Sequence, residues 1–167
     1  MAILKILQYP DERLHLVASR VDVFDDALKT LVADMLETMY AAPGIGLAAT
    51  QVDVQKQLIV IDFSENRNDP LAIANPRIIS TSGKSTLEEG CLSVPGIYET
   101  VDRAENILVE AQDIEGKFFE IKADGLLSVC IQHEMDHLKG RVFIEYLSRL
   151  KQTRILARMK KLARERM

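Results

Sequence analysis

Cysteine, histidine and long apolar runs are all scarce in this chain. Two cysteines, Cys91 and Cys130, in 167 residues make no disulfide framework. The cytosol, where thiols stay reduced, is therefore the expected compartment. No apolar run reaches about 18 residues, so no membrane span is expected. The start, Met1-Ala2-Ile3-Leu4-Lys5-Ile6-Leu7, is too short and too soon interrupted for a secretory signal. Internal repeats and interdomain linkers are absent, and so are a G-x-G-x-x-G pattern and a phosphate loop ending in Lys-Ser/Thr. With 47% hydrophobic and 28% charged residues, residues 1–167 read as one globular domain with a real core.

Charge is unevenly spread. Residues 149–167 hold eight Lys or Arg against one acid, a charge of +7, and the other 13 basic and 24 acidic residues give −11. An acidic body thus carries a basic tail, predicted to be a last helix with Ile155, Met159, Leu162 and Ala163 along one side.

Of only three histidines, two fall in the pentapeptide His133-Glu134-Met135-Asp136-His137. Helical residues four apart share a face, about 6 Å apart along the axis, so two imidazoles can close on one metal ion. Glu134 is turned about 100° away, near enough to handle protons beside that ion. The pentapeptide also arises by chance in ordinary helices. Here the preceding Leu126-Leu127-Ser128-Val129-Cys130-Ile131 is almost wholly apolar, and histidines in such a helix need partners that a metal can supply. The chemistry indicated is hydrolysis at a carbonyl.

A catalytic site of this type needs a third protein ligand. The HExxHxxGxxH solution fails, because position 143 is Phe143. Glu145 follows the helix so closely that reaching back would need a sharp turn. Cysteine suits better. Cys130 lies seven residues, about 10.5 Å, before His137, too far for three ligands from one helix to surround an ion easily, and reads as packing or pocket wall. Cys91 lies in Glu89-Gly90-Cys91-Leu92-Ser93-Val94-Pro95, an exposed turn or irregular strand beside a site; seen alone, it reads as an ordinary buried thiol.

The remaining pattern predicts an α+β fold: antiparallel β-sheets around the central HExxH helix, with N-terminal and C-terminal helices. The first helix spans 25–41 with Asp25 as N-cap, and a Gly-rich turn follows it. Strands are expected at Leu58–Phe63 and near 71–74, 77–80 and 84–87, with a polar loop at 64–70. A hairpin joins Ile107–Gln112 to Lys117–Ile121 through Glu115-Gly116. The HExxH helix runs from about 124 to 138 and stops at Gly140.

Three segments, Gly44-Ile45-Gly46-Leu47-Ala48-Ala49-Thr50-Gln51, Glu89-Gly90-Cys91-Leu92-Ser93 and Gln132-His133-Glu134-Met135-Asp136-His137-Leu138, closely resemble in identity, order and spacing those of peptide deformylases of the bacterial type. The resemblance covers essentially the whole chain. It implies a divalent metal held by Cys91, His133 and His137, usually ferrous iron, with zinc or nickel able to occupy the site. Glu134 would be the general base and acid, and the Gln51 amide with the Leu92 N–H would stabilise the oxyanion. Main-chain bonds to substrate would come from Ile45, Gly46 and Gly90, with the glycines at 44 and 46 allowing close approach of the peptide. Ile45, Leu87, Leu126, Val129 and Cys130 would wall the methionine pocket, although plain core is an equal reading for Leu126. The substrate implied is the N-formylmethionyl end of a nascent peptide, and the product is formate. The tail would dock near the ribosome exit tunnel through phosphate contacts. Tyr98 stands near a place where many relatives carry Arg, which bears on preference for later substrate residues. Two rival readings are a metallopeptidase or amidase and a ribosome-associated RNA-binding protein with a structural metal. The cysteine ligand opposes the first and Glu134 opposes the second.

Overall fold

The computed structural model describes residues 2–165. Its organising layer is an antiparallel sheet in the order β1 (Gly46–Ala48), β2 (Leu58–Ile61), β3 (Leu71–Ser82), β6 (Asn106–Gln112), β7 (Phe118–Asp124). Between β3 and β6 the chain inserts a separate hairpin, β4 (Ser85–Cys91) and β5 (Val94–Arg103). Among the described residues three α-helices accompany the sheets: α1 (Asp26–Ala41), α2 (Gly125–Leu138) and α3 (Arg149–Glu165). No helix among the described residues is long and apolar enough to cross a membrane.

The layers follow from side-chain alternation along β2. Leu58 and Val60 join the cluster of Leu28, Val32, Met35 and Met39 on α1, while Ile59 and Ile61 face Ile131, Met135 and Leu138 on α2. The sheet is thus sandwiched between α1 and α2. Fully buried residues such as Met35 and Ile59 each contribute roughly 1.5–3 kcal/mol through their removal from water. A third cluster lies outside the sandwich, where Val94, Ile97 and Val101 of β5 meet Leu7, Leu14, Phe143, Ile155 and Met159. This cluster seats the β4–β5 hairpin.

Asp25 caps α1, its carboxylate accepting from the Leu28 N–H at 3.0 Å. The α+β class, the N- and C-terminal helices and the β6–β7 hairpin are as the sequence pattern indicates. Other elements differ. The Gly-rich turn forms the short edge strand β1, and β2 ends at Ile61 rather than Phe63. Residues 71–82 make one strand, not two, because the sheet absorbs Pro76 in a register shift between Ala74 and Arg77, with Asn75 at φ 50°. β4 runs on to Cys91, and β5 is unanticipated. On α3, Ile155 and Met159 are buried and Leu162 is half-buried, but Ala163 is exposed; residues 166 and 167 of the basic tail lie outside the described residues.

The loop after β2 is organised around the buried Asp62. Its Oδ1 accepts from the Ser64 N–H (3.0 Å) and hydroxyl (2.6 Å). Its Oδ2 accepts from the Tyr40 hydroxyl (2.5 Å) and the Asp69 N–H (3.1 Å). Burial alone would raise this carboxyl, but the bonds from Ser64 and Tyr40 outweigh it and bring the pKa from 3.8 down to about 2. A pKa below its unfolded value contributes stability that is present above about pH 4 and is lost as pH falls toward 2. Asp62→Asn should therefore lower the thermal midpoint at neutral pH, and the gap to the parent protein should close between about pH 4 and 2. A gap that persists unchanged at pH 2 would contradict this.

Candidate metal centre

Helix α2 packs Ile131, Met135 and Leu138 onto the sheet and turns His133 and His137 toward the end of β4. The two rings lie 5.0 Å apart at 72°. From β4, Cys91 Sγ approaches His137 Nε2 to 3.3 Å. One ligand atom from each of Cys91, His133 and His137 falls within 4.8 Å of the others. His133 bonds Glu89 Oε1 through Nδ1 at 2.8 Å, which leaves Nε2 to face the cluster.

The surroundings separate the two imidazoles. Burial lowers the pKa of His137, aided by the positive charges of His133 and Arg103, so it stays neutral. Burial would lower His133 too, but its bonds to Cys91 and Glu89 prevail and raise it. Burial pushes the Glu134 carboxyl up to about 7, with Glu89 adding to the rise against the pull of His133 and Arg103.

A divalent cation fits these residues. Two nitrogens and one thiol sulfur form a donor set suited to iron, zinc or nickel. Glu134 Oε2 is buried and has no hydrogen-bond partner among the described residues, as befits a polar site prepared for an additional group. Cys130 does not join the cluster; it is buried on the sheet side of α2, where burial raises its thiol pKa. Glu145 is also excluded, because its carboxylate accepts from Val142 N and approaches His15.

Behind the ligands stands a network that the sequence reading missed. Arg103 on β5 donates to both oxygens of Glu89 at 2.9 Å and to Asp136 Oδ2 at 2.5 Å, and Tyr146 donates to that same oxygen. The side chains of Arg103 and Glu89 are 5% and 4% exposed, so this pair is fully desolvated. The signals were local: Glu89 lies two residues before Cys91, and Asp136 lies inside the pentapeptide. Arg103 carried no local signal.

Gln51 sits in the 3₁₀ turn Ala49–Val52. Its Oε1 accepts from Ala48 N, which aims Nε2 at Ser93 Oγ (3.1 Å) and Cys91 Sγ (3.6 Å). Leu92 and Ser93 form the two-residue turn from β4 to β5, and the Leu92 carbonyl accepts from Gln8 Nε2.

A cleft of about 610 Å³ opens beside the cluster. Gly44, Ile45 and Gly46 line one side, and Gly90, Cys91 and Leu92 line another; Leu126, Val129 and Cys130 are also in the wall, with His133 and Glu134 at the cluster. Leu87, also expected at the methionine pocket, lies on β4 three residues before Gly90 and pairs with Val101, with more than a third of its surface exposed. The glycines also have a reason apart from substrate approach, since neighbouring side chains occupy the space beside them. A Cβ on Gly46 would lie 2.9 Å from Cys130 Sγ and 3.2 Å from Glu134 Cγ, and one on Gly90 would meet the Tyr98 ring at 2.7 Å.

A family model described as Polypeptide deformylase matches residues 3–153. Peptide deformylase 2 of Nitrosomonas europaea is 62% identical over 164 residues, 98% of this chain and 89% of that protein. The peptide deformylase of Chromobacterium violaceum is 58% identical over the full length of both. The crystal structure of a peptide deformylase from Legionella pneumophila superposes with a TM-score of 0.95 at 48% identity, covering 99% of this chain and 98% of that one. The Ehrlichia chaffeensis enzyme in complex with actinonin gives 0.93 at 42%, with 96% and 98% covered.

Replacing Glu89 by Gln should weaken metal retention by about 10–100-fold in a chelator titration, because a neutral amide replaces the charged carboxylate that orients the His133 ring and raises its basicity. It should also destabilise the fold by about 3 kcal/mol, because Arg103 is left buried without its main counter-ion. Unchanged chelator sensitivity would remove Glu89 from the metal site.

Proposed function

The chain belongs to the polypeptide deformylase family, a family of metal-dependent hydrolases, and from that premise we propose how its own residues remove the formyl group from nascent chains. The substrate is the N-terminal formylmethionine of a newly made polypeptide; the products are formate and a free amino terminus. One observation carries the residue assignment: Cys91, His133 and His137 converge to within 4.8 Å while Glu134 lies buried beside them.

Cys91, His133 and His137 would hold the ion, which when bound would supply Lewis acidity for water activation at an open position. Glu134 takes a proton as water adds to the formyl carbon. It returns that proton to the amine nitrogen as the C–N bond breaks and formate leaves. Its buried position beside the cluster supports this role. The Gln51 amide and the Leu92 N–H stabilise the oxyanion; the anchoring of Gln51 by Ala48 and Ser93 supports a preorganised donor. Main-chain groups of Ile45, Gly46 and Gly90 bind the peptide, and the methionine side chain lies against Ile45, Leu87, Leu126, Val129 and Cys130. We assign ferrous iron as the resident metal, the cytoplasm as the compartment and residues 1–167 as one catalytic unit. Metal analysis of protein purified without oxygen tests the first assignment.

We further propose that the basic face of α3 docks on ribosomal RNA near the peptide exit. Every Lys and Arg of α3 is exposed, whereas Ile155 and Met159 are buried against the β4–β5 hairpin and its neighbours. Deleting the helix would therefore open the third core cluster, and charge removal is the cleaner test.

Glu134→Gln should retain metal and fold while turnover of formyl-Met-Ala-Ser falls roughly a hundredfold or more. Near-normal turnover in a metal-replete sample would remove Glu134 from its role. Replacing Arg154, Lys160 and Lys161 together by Ala should weaken ribosome co-sedimentation and flatten its salt dependence, while short-peptide turnover stays unchanged. Unaltered sedimentation would overturn the docking.

A further inference from the structure

The Gly44–Gly46 edge is held from behind by side chains that do not line the cleft. β1 pairs with β2 only from Gly46 onward, where Gly46 faces Ile61. Gly44 and Ile45 lie beyond that ladder and need other anchors. The Gly44 N–H donates to the Met39 carbonyl, and the Asp62 N–H donates to the Ile45 carbonyl, both at 2.9 Å. The Gly44 carbonyl has a third anchor, Arg67, which reaches it with Nη2. Through Nη1 the same guanidinium donates to the Asp62 carbonyl at 2.9 Å. Its Cζ lies over the Tyr40 ring, 5.1 Å from the centroid.

Each contact uses a particular property of arginine. A planar fork can donate to two carbonyls at once while its charge lies over an aromatic ring. Tyr40 is in turn fixed by its hydroxyl bond to Asp62. The loop pays for this arrangement with an uncommon backbone: Arg67 sits at φ 55°, in the left-handed region that non-glycine residues seldom occupy. The bonds from Ser64 and Asp69 to Asp62 hold the loop around it.

We propose that Arg67 is a positioning residue for peptide binding: by tying the Gly44 carbonyl to the end of β2 and to Tyr40, it fixes the course of the edge against which the substrate main chain lies. This inference rests on the reading of Gly44–Gly46 as the peptide-binding edge. Arg67 touches neither the cluster nor Glu134, so its loss acts on binding of the peptide beyond methionine rather than on the chemical step. The substrate's own length is therefore the probe.

The test compares formyl-Met-Ala-Ser with formyl-methioninamide in iron-loaded parent protein, Arg67→Met and Arg67→Lys. The parent should favour the tripeptide. Arg67→Met should raise KM for the tripeptide roughly tenfold with kcat within about twofold, and should change kcat/KM for the amide much less. Arg67→Lys keeps a charge over Tyr40 without the two-pronged donation, should fall between the two, and carries the test if Arg67→Met does not fold. Equal losses on both substrates, or a retained tripeptide advantage in folded variants, would overturn the role of Arg67 alone. A parent protein with no preference for the tripeptide would overturn the edge reading as well.

Discussion

Glu89 stands between the two elements that carry the metal ligands. Its Oε1 lies 2.8 Å from His133 Nδ1 on α2, and both of its oxygens accept from Arg103 across the β4–β5 hairpin. Arg103 continues to Asp136, one residue before His137. The sulfur of Cys91, two residues after Glu89, is thereby held at a set distance from both imidazoles. Burying this much charge is unfavourable unless every partner is present. The network accordingly admits few other placements of hairpin against helix. The third hydrophobic cluster supports the same placement from the far side, where Phe143 also approaches the His133 ring to 5.7 Å.

The cleft follows from a second close approach, that of β1 to α2. Gly46 leaves room for Cys130 and Glu134 where any side chain would displace them. The strand edge, the buried acid and the ligand cluster thus meet in a few ångströms, on three different elements. A hydrolase of formyl peptides needs this convergence: the main chain must be held on one side while water and proton carrier act on the other. The α1–sheet–α2 sandwich supplies the rigidity, and the Asp62–Arg67 loop pins the one stretch of the edge that the sheet ladder does not reach.

Much of this was legible in the residues because it was local. His133 and His137 are spaced for one helix face, the apolar periodicity of residues 28–40 marks α1, and Glu115-Gly116 marks the β6–β7 hairpin. The β4–β5 hairpin was not legible, because its turn is Leu92-Ser93, without the Gly, Asn or Asp that usually signals one. The strands expected near 71–74 and 77–80 are one, because the sheet accommodates Pro76 as a bulge. Cys91 could not be chosen over Cys130 from spacing alone; motif resemblance named it, and the fold brings it to the histidines although His133 lies 42 positions further along the chain. Arg103 and Arg67 act through tertiary contacts that leave no trace in local pattern.

The most direct test of the account is X-ray absorption at the metal edge on protein loaded anaerobically with one equivalent of ferrous iron or zinc. One sulfur and two imidazole scatterers around the ion are predicted, with the sulfur contribution absent from Cys91→Ala and retained in Cys130→Ala. A site without sulfur, or one whose sulfur disappears with Cys130, would contradict the convergence of hairpin and helix on a single ion.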